Sequence, residues 1–350
     1  MLARIALIAL AVTVAVITTT LTACGATAPT GAGGHAPGPP PRVFAFVSSA
    51  GGREIARMER FGTRIDVVAP NWYALDTRTG ALAAPGAGTV RTLLAAARPR
   101  RVKVWPTVNA RTRGSRSWES PAARARIVRS LEAAARGEGA TGVTLDMEEL
   151  RAGQRRAFTA LVAAAAQRLR DRGRRLAVYV PRPGPGGAAA YDWAALAHSA
   201  DLVLTAGYNE HWSGGAPGPT TTTAGFARVV DRGLALAGPR KAVPLLGAFG
   251  YRWPARGSGR LISTVEADRL RRTQGVHGRT ADGSVRFRAG GDTVVYETVA
   301  GLRARAAAAR AAGATWIGLF SLGREPARFW HGLKTARSAR RAEGSGAPSP

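Results

Sequence analysis

Residues 141–150 read TGVTLDMEEL, and this stretch indicates both a strand and a chemical site. Its β-branched and apolar residues are typical of a buried strand, whose side chains point alternately to two faces. The apolar face carries Val143, Leu145 and Met147, and the polar face carries Thr144, Asp146 and Glu148. Two neighbouring carboxylates in a desolvated site repel each other and cost stability. We therefore interpret Asp146 and Glu148 as functional, and Glu149 as the acidic start of the next helix.

Seven further segments have the same strand character, and Ala/Arg-rich helical segments follow them. The eight strand candidates are residues 42–49, 65–75, 102–109, 142–148, 176–182, 201–209, 242–251 and 315–323. The helix candidates are residues 53–61, 87–97, 119–136, 152–171, 191–198, 222–237, 298–312 and 325–334. This alternation predicts an α/β fold, a (β/α)8 TIM barrel over residues 42–335. An open doubly wound sheet is the competing fold, but no G-x-G-x-x-G opens a helix after the first strand.

A long segment, about residues 252–297, separates the seventh strand from its helix. Within it, VRFRAGGDTVVYE (residues 285–297) alternates in polarity around Gly290-Gly291, which predicts a β-hairpin. We expect a small α+β or hairpin insertion on the barrel rim, between strand 7 and helix 7, that walls a substrate groove, with a disordered loop as the alternative.

The N-terminal residues predict export. Arg4 precedes an apolar run from Ile5 to Ile17 that is short for a membrane span and typical of a signal peptide, residues 1–23. The ending LTAC places Cys24 where bacterial lipoproteins carry their lipidated cysteine. We expect an outward-facing cell-membrane lipoprotein with a flexible Gly/Pro linker over residues 24–41, and a plain secreted protein is the alternative. Residues 336–350 are predicted to be a disordered tail.

Composition excludes several classes of function. The 350 residues include 50 Lys and Arg against 22 Asp and Glu, a net charge of +28, which favours anionic neighbours such as cell-wall polymers. No zinc finger or RNA-binding aromatic pattern accompanies this charge, so nucleic acid is not expected as a partner. The five histidines are scattered and G-x-S-x-G is absent, so no metal, no cofactor and no serine nucleophile are predicted. The single cysteine cannot form an intramolecular disulfide, and a monomer is expected.

Four ordered segments resemble glycoside hydrolase family 18, which includes chitinases and spore cortex-lytic N-acetylglucosaminidases. Residues 141–148 are similar to its D-G-x-D-x-D-x-E signature, with threonine at both earlier acids. The other three segments are DVVAPNWYAL (66–75), AGYNEHWSGGAPGP (206–219) and the closing helix and strand within 293–330. The resemblance covers residues 43–332 and is closest to the cortex-lytic branch. It implies hydrolysis of β-1,4-linked N-acetylglucosamine glycans, peptidoglycan more than chitin, in which the substrate's own acetamido oxygen is the nucleophile.

The resemblance also implies residue roles. Glu148 would protonate the leaving oxygen, Asp146 would orient the acetamido group, and Tyr208 would donate a hydrogen bond to its oxygen. Thr144 stands where the family has an acid, and its hydroxyl is expected to donate to Asp146. Asn209 replaces an aspartate, and Phe320 replaces the tryptophan that forms the floor of the subsite.

Aromatic residues near strand ends are candidates for stacking on sugars. They are Trp72, Tyr73, Trp105, Trp212, Tyr251 and Trp253, and packing beneath a loop is an equally open reading for each. Glu210 and His211 are left as either substrate contacts or helix caps. Because the family's acidic positions are only partly kept, a non-catalytic glycan-binding lipoprotein on the same fold is the alternative function.

Overall fold

The strands of the chain fall into a closed barrel and a smaller sheet. The computed structural model describes residues 39–49, 51–183 and 187–345, so the predicted signal peptide, Cys24 and nearly all of the linker lie outside the described residues. In chain order the strands are β1 (Arg42–Val47), β2 (Val67–Leu75), β3 (Leu82–Ala83), β4 (Lys103–Val104), β5 (Thr107–Arg111), β6 (Gly142–Glu148), β7 (Arg175–Val180), β8 (Leu202–Ala206), β9 (Ala242–Gly247), β10 (Phe249–Trp253), β11 (Arg260–Ser263), β12 (Arg279–Ala281), β13 (Ser284–Ala289), β14 (Asp292–Glu297) and β15 (Trp316–Phe320).

Helices connect successive strands. They are α1 (Gly52–Phe61), α2 (Ala87–Ala97), α3 (Pro121–Ala135), α4 (Arg155–Arg170), α5 (Trp193–Ser199), α6 (Thr223–Ala237), α7 (Thr264–Thr273), α8 (Val299–Ala311), α9 (Arg328–His331) and α10 (Ala336–Ser345). Side-chain caps fix several starts: Ser120, Thr222 and Thr298 each accept a hydrogen bond from the third residue after them.

Eight parallel strands close the barrel and confirm the predicted fold class. Their order is β1-β15-β9-β8-β7-β6-β5-β2, and β2 pairs back to β1. The short β4 also pairs with β2, just before β5. Strand β6 buries Val143, Leu145 and Met147 in the layer between barrel and helices, as alternation predicts, where they belong to the same core as Phe158 and Leu161 of α4.

The insertion is a five-stranded antiparallel sheet in the order β11-β10-β14-β13-β12. Only Ala248 separates β9 from β10, so the barrel strand leads directly into this second sheet. The predicted hairpin is present as β13 and β14, and its turn has positive φ at both Gly290 (56°) and Gly291 (86°), as a type I′ turn requires. An α+β insertion was predicted for this segment, but the positions of helix α7 and of strands β11 and β12 were not.

The C-terminal segment differs from its prediction. Residues 336–345 are not disordered but form α10, and the predicted helix over 325–334 is reduced to the single turn α9. Arg337 explains the docking of α10, because its guanidinium donates to the carbonyl oxygens of Ile65 and Arg100, both at 2.6 Å. Among the described residues, no helix has the length and apolar character needed to cross a membrane.

Candidate active site

A cavity of about 350 Å³ opens at the carboxyl ends of the barrel strands. This end is where (β/α)8 enzymes hold their catalytic groups. The polar residues that line the cavity include Asn71, Asn109, Arg111, Asp146, Glu148, Tyr179, Tyr208, Asn209 and Tyr251. Its apolar wall includes Phe46, Phe249, Leu261 and Phe320, so β6, β7, β8, β15 and the insertion all contribute to it.

Asp146 lies deep in the cavity, one strand away from Asn109 in register. Its Oδ1 atom is buried and accepts no hydrogen bond from the described residues. Burial raises the pKa of Asp146 well above its usual range, and the nearby charge of Glu148 raises it further, against the opposing effect of Arg111. A buried carboxylate oxygen that receives no hydrogen bond from the protein can accept one from a bound ligand.

Glu148 lies at the mouth of the same strand face, with 34% of its side chain exposed. Burial raises the pKa of Glu148, Arg111 lowers it, and Glu149 raises it. Arg111 is its partner in register on β5, and the guanidinium Nη2 lies 3.5 Å from Glu148 Oε2. The raised pKa keeps a proton on this carboxyl at higher pH than an exposed glutamate would hold it, as a general acid requires.

Glu149 does not begin the next helix, contrary to the prediction. Its φ of 62° turns the chain out of β6, and its Oε1 lies 3.1 Å from Nη1 of Arg111. Helix α4 begins only at Arg155, after a 3-10 turn at Ala152–Gln154. Glu149 therefore acts on the site through Arg111 and through its charge.

Tyr208 and Tyr179 share the inner part of the cavity, and their hydroxyls are hydrogen-bonded to each other. Burial raises the pKa of both tyrosines well above the usual value, and the charge of Asp146 raises it further for each. Both hydroxyls are therefore neutral donors. Tyr179 was missed by the sequence analysis; its only signal is a polar aromatic residue near the end of the LAVYV strand.

Asn209 and Tyr251 meet across the junction between barrel and insertion. Tyr251 donates from its hydroxyl to Asn209 Oδ1 at 2.9 Å. Asn209 has a φ of 67°, a left-handed conformation that asparagine tolerates better than most residues. The insertion thus contributes directly to the cavity through Tyr251.

Phe320 forms an aromatic floor. Its ring centroid is 5.6 Å from those of Phe46 and Tyr208 and 6.0 Å from that of Phe249. Phe320 is half-buried, so part of its ring faces the cavity, where a sugar face can stack.

Solved structures that resemble this chain include chitinases and a spore cortex-lytic enzyme. A chitinase from Chromobacterium violaceum has a TM-score of 0.74 and 22% identity, over 85% of this chain and 99% of that one. The spore cortex-lytic enzyme SleL of Bacillus cereus has a TM-score of 0.70 and 15% identity, over 87% of this chain and 74% of that one. Catalytic domain 2 of the Group II chitinase of Ostrinia furnacalis has a TM-score of 0.67 and 15% identity, over 89% of this chain and 98% of that one.

The chain has the (β/α)8 barrel fold of these solved structures. No protein-family model matches the sequence, and a search of curated proteins gives no match. At these identities the likeness establishes the fold of the chain.

Six residues predicted to contact substrate do not line the cavity: Thr144, Trp72, Tyr73, Trp105, Trp212 and Trp253. Thr144 is fully buried, and its hydroxyl donates to the carbonyl of Trp105 at 3.3 Å rather than to Asp146. Trp72 is buried in the core between barrel and helices, so its ring is not available to a sugar. Trp212 is 54% exposed on the loop after β8, where its ring packs over Gly214.

Trp105 lies at the opposite end of the barrel. It precedes β5, contacts Phe44 edge-on, and lines a separate cavity at the amino ends of the strands. The strand prediction ended at Asn109, but β5 continues to Arg111 after Pro106, which places Trp105 too early in the strand to reach the catalytic end.

Glu210 is a structural residue. Its carboxylate accepts from the backbone N–H of Thr222 at 3.1 Å and pairs with Arg182 at 3.0 Å. His211 bonds through Nδ1 to the carbonyl of Ala216 at 2.9 Å. Both therefore shape the loop before α6. Across the part of the chain that the structure describes, no three His, Cys, Asp or Glu side chains are grouped to hold a metal ion.

Proposed function

We propose that this chain is a glycoside hydrolase that cleaves β-1,4-linked N-acetylglucosamine-containing glycan, peptidoglycan more than chitin, by substrate-assisted retaining catalysis. The observation that carries the proposal is the pair Asp146 and Glu148 on one strand face, beside the neutral hydroxyl of Tyr208 in a single cavity. The (β/α)8 barrel supports it, because chitinases and a cortex-lytic enzyme share this fold.

The chemistry begins with Glu148. Its raised pKa keeps it protonated, so it can donate a proton to the glycosidic oxygen as the bond to the anomeric carbon breaks. The substrate's acetamido oxygen attacks that carbon and forms an oxazolinium ion. Glu148, now a carboxylate, removes a proton from the water that opens this ion, and the product keeps its original configuration.

Asp146 and Tyr208 hold the acetamido group. The acetamido N–H is a donor of the kind that the unpartnered Oδ1 of Asp146 lacks. Its hydrogen bond and the positive charge of the ion both favour the ionised form of Asp146, whose negative charge then stabilises the ion. The Tyr208 hydroxyl is buried and neutral, so it can donate to the acetamido oxygen. Phe320 stacks beneath the sugar, and this packing excludes water from the reacting carbon.

We further propose that the chain is exported and held to the outer face of the cell membrane by a lipid on Cys24. The LTAC motif and the single cysteine of the chain support this placement. Metabolic labelling with a radioactive fatty acid tests it: label should appear in the wild-type chain and disappear in Cys24→Ser, and equal labelling of both would refute it.

The catalytic proposal is tested by turnover on peptidoglycan and on chitooligosaccharides, with products identified by mass spectrometry. Glu148→Gln keeps the shape of the side chain and removes the proton, so we expect turnover to fall by a factor of about 10³. The matched control is Glu138→Gln, which makes the same change at an exposed surface carboxyl outside the cavity and should retain turnover. If the wild-type protein bound these glycans without turnover, the proposed hydrolase activity would be wrong and the chain would be a glycan-binding protein.

A further inference from the structure

A second feature lies at the end of the barrel opposite the catalytic cavity. There the amino ends of the strands surround a cavity of about 270 Å³ whose floor contains Trp105 and Trp316. Its rim carries four basic residues and one acid: Arg42, Lys103, Arg175, Arg240 and Asp201. Arg42, Lys103 and Arg175 are each the first residue of a strand, so they belong to one face.

A neighbouring cavity of about 360 Å³ extends this face. It is lined by Arg100, Arg101, Arg337 and Arg340, with no acid. The two cavities adjoin through Asp66, which is buried and lies 3.4 Å from Arg42 Nε and 3.8 Å from Arg340 Nη2. We call these two cavities together the cationic face.

Internal contacts explain only part of this positive charge. Arg100 donates to the backbone carbonyl of Ala96, and Arg337 donates to that of Arg100 and so holds α10 in place. Arg175 pairs with Asp201 at 2.6 Å. The side chains of Lys103 and Arg240, by contrast, are exposed and make no hydrogen bond or ion pair with any residue the structure describes. Eight basic side chains therefore face two acids, both already in ion pairs, and the excess charge is directed to solvent.

The chain enters the barrel at this face. Residues 39–41 lead directly into β1, whose first residue is Arg42 on the rim. The predicted linker of residues 24–41, most of which lies outside the described residues, would attach here, and a flexible segment of that length would have an end-to-end distance of about 20 to 25 Å. A lipid on Cys24 would hold the cationic face within that distance of the bilayer.

From this arrangement we propose that the cationic face docks on an anionic lipid bilayer through the phosphates of its headgroups. Guanidinium groups match phosphate oxygens in a bidentate geometry, and each of the two cavities places four basic residues around a space large enough to admit a phosphate group. The tryptophans are buried in the floor, so binding is electrostatic and weakens with salt. Docking this way points the catalytic cavity away from the membrane. Docking of the cationic face on a membrane does not require glycosidase activity.

Vesicle sedimentation with the chain from Ala36 to Pro350 tests the proposal. This piece forms one compact unit that contains the whole barrel and lacks Cys24, so no lipid anchor can contribute. It should bind vesicles of phosphatidylcholine with phosphatidylglycerol, release them at high salt, and ignore phosphatidylcholine alone. Lys103→Glu combined with Arg240→Glu should weaken binding at least about tenfold, because two attractive charges become repulsive.

The matched control is Arg256→Glu combined with Arg260→Glu, an equal charge change at two exposed positions of the insertion. It should bind like the parent chain, and thermal melts of all three proteins check that each is folded. Equal loss in both double variants, or no binding of the parent chain to anionic vesicles, would overturn the proposal. Binding to a soluble polyphosphate but not to vesicles would also overturn it, in favour of an anionic polymer.

Discussion

Arg111 tunes the proposed acid of this site. Its guanidinium lies beside Glu148 and lowers the pKa that burial raises. Replacing it by Gln removes a charge that favours the ionised carboxyl, so the pKa of Glu148 should rise. We expect the alkaline limb of kcat/KM in Arg111→Gln to move to higher pH, by less than about one unit because Arg111 is 69% exposed and solvent screens it.

Arg113→Gln is the control for this change, since Arg113 is a neighbouring exposed arginine that does not line the cavity. Its pH profile should match that of the wild-type protein. An alkaline limb in Arg111→Gln that stays in place or moves to lower pH would contradict this role of Arg111.

The sequence allows neighbouring side chains of the cavity to be predicted where a single segment contains the whole pattern. Asp146 and Glu148 were found because strand alternation within a single stretch places them together. Arg111 and Tyr179 were missed because their closeness depends on the register between neighbouring strands, such as Arg111 opposite Glu148, which the sequence does not display. The position of Trp105 was predicted wrongly for a related reason. The residue at which β5 ends decides whether a side chain lies at the amino end or the carboxyl end of the barrel.

At the level of elements, a buried ion pair joins the insertion to the barrel. Arg305 of α8 lies 2.6 Å from Glu297 at the end of β14 and also donates to the carbonyls of Thr221 and Asp282. Arg305→Met leaves all three acceptors without their donor. We expect the free energy of unfolding, measured with urea, to fall by about 3 kcal/mol.

Arg303→Met is the comparison on the same helix. Arg303 is half-buried and donates only to the carbonyls of Phe329 and Arg328 near the surface. Arg303→Met should lower the free energy of unfolding by less than half as much as Arg305→Met does. Equal effects of the two substitutions would show that the ion pair with Glu297 adds no special stability.

Elements with their own local signal were predicted, and those formed by contacts were not. The β13–β14 hairpin was evident from its alternation around Gly290-Gly291. Helix α10 was predicted to be disordered because its composition is polar and basic; it is stabilised by Arg337 reaching carbonyls more than two hundred residues away in sequence. Such long-range contacts leave no pattern within the segment itself.

At the scale of the whole molecule, a buried carboxyl makes stability depend on pH. Glu325 accepts from Trp330 Nε1 at 2.7 Å and lies 3.2 Å from Arg57 Nε, and burial raises its pKa to about 7 from 4.5. The folded state thus binds this proton more tightly than the unfolded state. Its contribution is complete below about pH 4.5 and is lost as pH rises toward 7.

Glu325→Gln removes that dependence while keeping the shape of the side chain. Urea unfolding at a series of pH values should show a decline in the wild-type free energy of unfolding between pH 4.5 and 7 that is smaller in the variant. The difference between the two curves isolates this one group from all other titrating residues. Parallel curves would mean that Glu325 has the same pKa in both states.

The fold class was the most predictable property of the molecule. Each of the eight repeats of strand and helix has its own hydrophobic pattern. A wrong boundary in one repeat therefore does not change the predicted number of barrel strands. Even the shortening of the last helix to α9 did not disturb the barrel, because closure depends on the strands and on the pairing of β1 with β15 and β2.

The strands also fix a length. Strand β6 has seven residues from Gly142 to Glu148, and with the usual tilt of barrel strands it spans about 16 Å along the barrel axis. The carboxyls of the site and the rim of Lys103 and Arg240 lie at its two ends. A protein bound to a surface through that rim would hold its catalytic cavity at a fixed distance from the surface. Glycan strands closer to the surface than this distance would stay uncut, and strands just beyond it would be within reach of the cavity.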